Sequence, residues 1–445
     1  MVHKIGIRRE DMYAWERRTP LVPSDLAELA ASDSFEFLVQ SSEKRAFTDD
    51  QYRAAGHDVV ASLEACPVII GLKEIPVEVF EQGKPYVFFS HVIKGQPANM
   101  PMLQRALDLG CTILDYEKIA DDTGKRLIFF GNYAGLAGAI DTLWTLGKRL
   151  AWEGIETPLA ELRQASTYAD LAEVEAAIAA AGERIASDGL PSTISPLVIG
   201  VAGYGNVSKG AQEILDLLPT SELEPSALFE GDLHAEPGRP IVKVVFREED
   251  TVLPLVNDKI FDLDEYYNHP ERYRAAFSRY LPHLHALVNC IYWEPKYPRL
   301  VTKEQIREVY ADGQPTLRVI GDISCDVEGG VEVTVKATEP DDPIYVVDPE
   351  TGEIASGFEG HGPVMMAVDI LPTELPRESS AYFSNILKGF VPAIASADYS
   401  LPLESLDLPP ELKRAVICHR GELTPDYHYI AKYLDAAAAD AASAS

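Results

Sequence analysis

The stretch LVIGVAGYGNVSKGAQEIL (residues 197–215) constrains the fold more than any other. Leu197 to Val201 form an apolar run of strand length, Gly203-x-Gly205 supplies a tight turn, and the following residues carry a helical pattern. A strand passing directly into a helix through two glycines builds a βα unit. The same arrangement is the fingerprint of a dinucleotide site: glycines let the backbone approach a pyrophosphate, and the helix N-terminus offers N–H groups and positive dipole. Ser208 stands where a third glycine or alanine is usual, a sterically acceptable replacement. A plain β–turn–α corner would use the same residues.

The rest of the chain repeats this alternation. KIGIR, FEFLVQ, PVIIGLK, YVFFSHV and CTILDY read as strands within the first 130 residues, and PSDLAELAAS and MPMLQRALDLG as amphipathic helices. A long helix follows at YAGLAGAIDTLWTLGKRLAWEG, with Leu136, Ile140, Leu143, Leu146 and Leu150 on one face, and a second at ADLAEVEAAIAAAGERIASDG. After the glycine turn, PIVKVVF, ALVNCIYW and LRVIGDIS read as strands, and EPDDPIYVVDPETGEI as a hairpin. The terminal AAAADAASAS reads as a frayed tail. Alternation of this kind specifies an α/β fold with parallel, doubly wound sheets. At 445 residues two domains are expected.

Charge and cysteine usage exclude several functions. A formal charge of −31 argues against nucleic acid or an anionic membrane as partner. No apolar run approaches the roughly 18 residues that span a bilayer. The charged N-terminus lacks a signal-peptide core, so a cytoplasmic protein is expected. Five cysteines without a C-x-x-C pair fit reduced thiols, and no metal site is expected.

The chemistry-bearing residues lie at strand ends, where parallel sheets bind ligands. Lys73 follows PVIIGL and His91 follows YVFFS, so both should enter one cleft. Mutual repulsion and partial burial would bring the lysine towards neutrality and make the two an acid–base pair, with Glu74 and Glu117 tuning the charge. Arg17 and Arg18 lie on the turn after the first strand, and an arginine fork suits a carboxylate; a surface ion pair is the competing reading. Glu222 and Glu224 stand where a ribose-reading carboxylate is expected, which favours NAD(H), and Arg247 is the nearby basic residue. Asp322 ends a further strand.

The segments GIRREDMYAWERRTPLVP, GLKEIP, FFSHVIKGQPANMP, LDYEKIADDTGKRLIFFGNYAGLAG, GNVSKGAQEI, NCIYWEPKYPRLVT and GDISCDVEGGVE, in this order, resemble the lysine–ketoglutarate reductase domain of the aminoadipic semialdehyde synthases. The resemblance extends more distantly to saccharopine dehydrogenases and alanine dehydrogenases. It implies two Rossmann-like domains around a central cleft, residues 1–134 with 331–445 holding substrate and 135–330, including connecting helices over 135–190, holding the dinucleotide. It implies an oxidoreductase that joins L-lysine and 2-oxoglutarate into saccharopine, or runs the reverse, with NADP(H) favoured over NAD(H). By motif, Lys73 and His91 are then the catalytic pair, and Arg18, Glu74, Lys94 and Glu117 bind substrate. Gly203, Gly205, Asn206, Val207, Ser208 and Glu224 contact the dinucleotide, with Asn289 and Asp322 beside the nicotinamide. GLKE is closer to the monofunctional dehydrogenases and QPANMP to the reductase domain. The chain is expected to lack the saccharopine-oxidising half and to form, if anything, a homo-oligomer. An opine-type dehydrogenase acting on another amino acid and a silent nucleotide sensor are the alternatives.

Overall fold

The computed structural model describes residues 2–444 except 32, 33, 231, 232, 234, 235, 312 and 314, with backbone alone from 438 on. Ser32 and Ser445, read from the sequence as a helix end and part of the tail, lie outside the described residues. The chain divides into two units, Met1–Phe130 with Pro376–Ser445, and Gly131–Leu375.

The first unit opens with β1 (His3–Ile7), α1 (Pro23–Ala30) and β2 (Phe35–Gln40). Pro23 at the first turn of α1 has no N–H to leave unpaired. Next come α2 (Asp49–Ala54), closed by a Thr48–Gln51 capping box, β3 (Asp58–Val60), β4 (Val68–Ile70) and β5 (Pro85–Phe88). Then α3 (Met100–Asp108) buries Met100, Leu103 and Ala106 on one face, and β6 (Thr112–Asp115) follows.

The second unit begins with the long α4 (Gly131–Trp152), then α5 (Leu171–Asp188) capped by Asp170. The glycine turn lies between β7 (Leu197–Ala202) and α6 (Asn206–Leu215), followed by β8 (Thr220–Leu223) and β9 (Ile241–Phe246). An excursion holds α7 (Glu248–Thr251), β10 (Val252–Pro254), α8 (Leu263–Asn268) and β11 (Tyr273–Ala275). The unit is completed by β12 (Ala286–Asn289), α9 (Lys303–Tyr310), β13 (Val319–Asp322), β14 (Ile344–Val347), β15 (Ile354–Ser356) and β16 (Val364–Met366). The chain then returns to the first unit as α10 (Pro376–Leu387), α11 (Val391–Ser396), α12 (Pro410–Arg414), β17 (Val416–His419), β18 (Glu422–Leu423) and α13 (Ala431–Ala444). The alanine run that reads as a frayed tail is therefore helical, in keeping with the high helix propensity of alanine.

Among the described residues each unit is built on an eight-stranded sheet. The first has the order β18-β17-β6-β5-β4-β1-β2-β3. Successive strands run outward in opposite directions from the β1/β4 border, which makes that border the switch point where open α/β sheets bind ligands. Strand alternation divides its core. Ile5, Ile7, Val39, Ile70 and Val87 pack with Leu21, Leu26 and Phe383 on one face, and Ile69, Tyr86, Phe88 and Ile113 with Leu103 and Ile430 on the other.

The second sheet has the order β15-β14-β16-β13-β12-β7-β9-β8. Both sheets are parallel through their centres, but β17 and β18 in the first and β14 and β15 in the second pair antiparallel at an edge. The sheets are thus mixed rather than wholly parallel. The unit boundaries also differ from the expected 134 and 331. The first falls at Phe130, and the second at Leu375, because β16 pairs with β13 and β14 with β16, which keeps residues 344–366 in the second sheet.

Candidate active site

In the first unit, β4 and β5 pair Ile70 with Val87, an offset of 17 residues. The same offset carries Glu74 onto His91, and their side chains meet: Glu74 Oε1 lies 2.5 Å from His91 Nδ1. Burial alone would raise the Glu74 carboxyl, but the hydrogen bond and charge of His91 hold it below its ordinary value. Glu74 Oε2 is buried with no hydrogen-bond partner. The His91 ring stacks on Phe89 at 6.0 Å between centroids. The pairing expected from the sequence was Lys73 with His91; the contact that these strand ends make is between Glu74 and His91.

Lys73 sits one residue before Glu74 on a loop fixed by the buried Glu10, whose carboxylate accepts from Leu72 N (2.8 Å) and Lys73 N (2.9 Å). Burial pushes Glu10 up to about 7, against the charge of Arg8. Lys73 also faces Glu16. Burial would raise that carboxyl, yet the charge and hydrogen bonds of Arg18, with Lys73 adding, hold it low.

Arg18 is buried, not the surface ion pair that the sequence also allowed. Its Nε and Nη2 bond to Glu16 at 2.9 and 2.6 Å, and its guanidinium lies 4.5 Å from the Phe130 ring centre. Arg17 is exposed and reaches only the Lys44 carbonyl. Lys94 is exposed. Glu117 follows the end of β6 and pairs with Arg126 at 3.2 Å. Arg126 lies 5.7 Å from the Phe89 ring, and Phe89 is 6.2 Å from Phe130, so two guanidinium groups cover neighbouring rings. Sequence reasoning missed Arg126, Glu10 and Glu16. The one available signal for Arg126 was a basic residue in the short hairpin that follows β6.

In the second unit, Gly203 adopts φ +98°, a conformation that favours glycine, and its N–H donates to the Phe246 carbonyl at 2.9 Å. A Cβ on Gly205 would meet nothing within 4 Å, so the turn is open there to an approaching pyrophosphate. Asn206 opens α6, Val207 follows it, and Ser208 is fully buried and accepts from Gln212 at 2.9 Å. The tight contact of this unit lies between helices. A Cβ on Gly210 would stand 2.2 Å from Asn132 O, and one on Gly135 1.9 Å from Val207 O.

Asn289 and Asp322 are register partners on β12 and β13, and Asn289 Nδ2 donates to Asp322 Oδ1 at 2.8 Å. Burial pushes Asp322 up to about 6, against hydrogen bonds from Thr334 and Asn289. Asn289 ends β12, the neighbour of β7, and Asp322 ends β13, the next strand out.

Glu224, expected from the sequence to read a ribose, is not at the end of a strand paired with β7. It follows β8, which pairs with β9 and is one strand removed from β7. β7 is flanked by β12 and β9, and the residue after β9 is Arg247, exposed, with its guanidinium 5.5 Å from the ring of Tyr204 in the glycine turn. Glu222 pairs with Lys243 at 3.1 Å. Among the described residues no group of acids, histidines or cysteines could hold a metal ion, and no helix is long and apolar enough to cross a membrane.

Comparison with known proteins agrees with this architecture. Residues 6–137 match the family described as alanine dehydrogenase/PNT, N-terminal domain. An alpha-aminoadipic semialdehyde synthase of Arabidopsis thaliana is 40% identical over 442 residues, covering 96% of this chain. The chain spans only 41% of that relative's length. A saccharopine dehydrogenase [NAD(+), L-lysine-forming] of Emericella nidulans is 26% identical over 399 residues, covering 86% of this chain and 90% of its own. The solved structure of an L-alanine dehydrogenase superposes with TM-score 0.62 at 15% identity, covering 97% of this chain and 99% of that one. By sequence the chain is similar to an aminoadipic semialdehyde synthase and to a lysine-forming saccharopine dehydrogenase, and its fold is that of alanine dehydrogenase.

Proposed function

We propose that this chain is a nicotinamide-dependent oxidoreductase of the lysine–ketoglutarate reductase type, condensing L-lysine with 2-oxoglutarate to form saccharopine or catalysing the reverse. The observation that carries the reading is the cluster of Lys73, Glu74 and His91 at the ends of β4 and β5, in a chain whose relatives bear the names given above.

The cluster suits the chemistry. Amine attack on a ketone, loss of water from the carbinolamine and reduction of the resulting imine each require a proton to be moved at or beside one carbon. Glu74 holds His91 through Nδ1, which leaves Nε2 as the edge that exchanges protons with the reacting oxygen and nitrogen. Lys73, on the adjoining loop, is the second proton carrier. 2-Oxoglutarate is a dicarboxylate, and Arg18 and Arg126 on the Phe130 and Phe89 rings supply two guanidinium charges to orient it.

A bound nicotinamide dinucleotide would supply the hydride. Gly203, Gly205, Asn206, Val207 and Ser208 would take its pyrophosphate, while Asn289 and Asp322 would border the nicotinamide. Arg247 in the ribose position supports NADPH, because a guanidinium there suits a 2′-phosphate and a carboxylate would repel it. The strand order thus removes the sequence argument for NADH that rested on Glu224. The test is oxidation of NADPH and NADH with 2-oxoglutarate and a panel of amino acids. Turnover with lysine is expected, faster with NADPH; absence of lysine-dependent turnover with either cofactor would overturn the reading.

A further inference from the structure

His91 stands at the head of a turn in a backbone conformation that non-glycine residues rarely adopt, φ +48°. Such a residue persists only where its surroundings enforce it. The turn's own bonds are Gly95 N–H to Val92 O at 2.9 Å and Asn99 Nδ2 to His91 O at 3.3 Å.

Further contacts come from the C-terminal segment. The Tyr429 hydroxyl donates to Ile93 O at 2.8 Å. The Tyr433 ring, on α13, lies directly against Gly95: a Cβ built there would stand 2.3 Å from Cγ and 2.4 and 2.5 Å from the two Cδ atoms. Gly95 itself has φ +70°. Val92 and Ile430 belong to one buried cluster with Tyr433 at its edge, so turn and helix share a core.

We propose that Tyr433 is a positioning residue for His91: α13 clamps the turn at Gly95 and so keeps the imidazole against Glu74. This rests on the reading of His91 as the acid–base group. The three atoms nearest Gly95 all belong to the Tyr433 ring, so phenylalanine should serve equally and alanine should not.

The experiment compares full-length wild type, Tyr433→Ala, Tyr433→Phe, Gly95→Ala and His91→Gln, each checked for a native melting transition and for dinucleotide affinity. Tyr433→Ala and Gly95→Ala are expected to lower kcat about 10- to 100-fold, the cost of misplacing a reacting group by about 1 Å, with dinucleotide affinity unchanged. Tyr433→Phe is expected to keep wild-type kcat. Independently of turnover, the His91 ring resonances, identified by their loss in His91→Gln, should move in Tyr433→Ala and Gly95→Ala and stay in Tyr433→Phe. Gly95→Ala reaches the same contact from the other side should Tyr433→Ala fail to fold. A folded Tyr433→Ala with wild-type kcat and an unmoved His91 resonance would overturn the clamp. A fully active His91→Gln would instead overturn the assignment of His91, and the resonance would then decide the clamp by itself.

Discussion

Glu74 and His91 lie just beyond the ends of neighbouring parallel strands, at the 17-residue offset that pairs Ile70 with Val87, and their side chains touch at 2.5 Å. A carboxylate bonded to one imidazole nitrogen fixes the ring and its tautomer and leaves the other nitrogen to work, which is the usual way a histidine is readied for proton transfer.

Replacing either proton carrier should therefore damage turnover without damaging cofactor binding. Lys73→Met and His91→Gln are each expected to lower kcat at least about tenfold, with dinucleotide affinity measured by fluorescence unchanged. Unaltered kcat in both variants would mean that the chemistry lies elsewhere. Glu74, whose folded value is depressed, contributes stability that is present above its ordinary 4.5 and lost as pH falls below it; Glu74→Gln should flatten melting temperature against pH in that acid range.

A different pH signature is expected from the second unit. Asp141 on α4 and Glu374 are buried against one another; Asp141 Oδ1 accepts from Ala165 N, while Oδ2 finds no donor unless Glu374 carries a proton. Burial raises both carboxyls, and for Glu374 the charge of Asp141 adds to it. An acid raised on folding favours the folded state at low pH and loses that advantage as pH climbs through its folded value. Glu374→Gln should thus gain on the wild type as pH rises from 5 to 8, by roughly 2–4 °C for each kcal/mol in a domain of this size. Parallel melting curves across that range would refute the shared proton.

Two glycines of the cofactor region should separate folding from binding. At Gly205 a methyl group meets open space, so Gly205→Ala should melt like the wild type and bind dinucleotide weakly. Gly210→Ala drives a methyl to 2.2 Å from Asn132 O and should lose about 1–3 kcal/mol or more in denaturant titration. The reverse pattern would remove the case for a pyrophosphate at Gly205.

Arg247→Ala is expected to lower kcat/KM for NADPH about 10- to 150-fold, the equivalent of about 1.5–3 kcal/mol for hydrogen bonds to a charged group. NADH kinetics should change little. Equal losses with both cofactors would assign Arg247 to something other than the 2′-phosphate.

Much of this site was legible in the sequence because it lies at strand ends, and strand ends follow from short apolar runs bounded by polar residues. Lys73, His91 and the Gly203–Gly205 turn fall where that pattern puts them. What remained hidden depends on which strand lies beside which. An apolar run locates β9 but does not reveal that it inserts between β7 and β8, so the sequence argument turned to Glu224 rather than to Arg247. For the same reason β14 and β16 were assigned to the wrong unit, since their only distinguishing feature is the β13 edge they extend. Arg126 escaped because a hairpin arginine has no local mark separating it from a solvated one; Arg18 was named, but its burial beside Glu16 is a tertiary property that the sequence does not carry.

The contact between α4 and α6 at Gly135 and Gly210 has a consequence for engineering. The two backbones meet where neither tolerates a side chain, so the end of α6 that follows the glycine turn is registered on the first turns of a helix more than fifty residues earlier in the chain. The glycine turn is therefore not a portable cassette. A graft that changes cofactor preference by replacing residues 197–215 alone would dock its new helix on a surface cut for the old one. A workable exchange has to carry residues 131–138 with it, or confine itself to side chains, such as Arg247, that lie outside that seam.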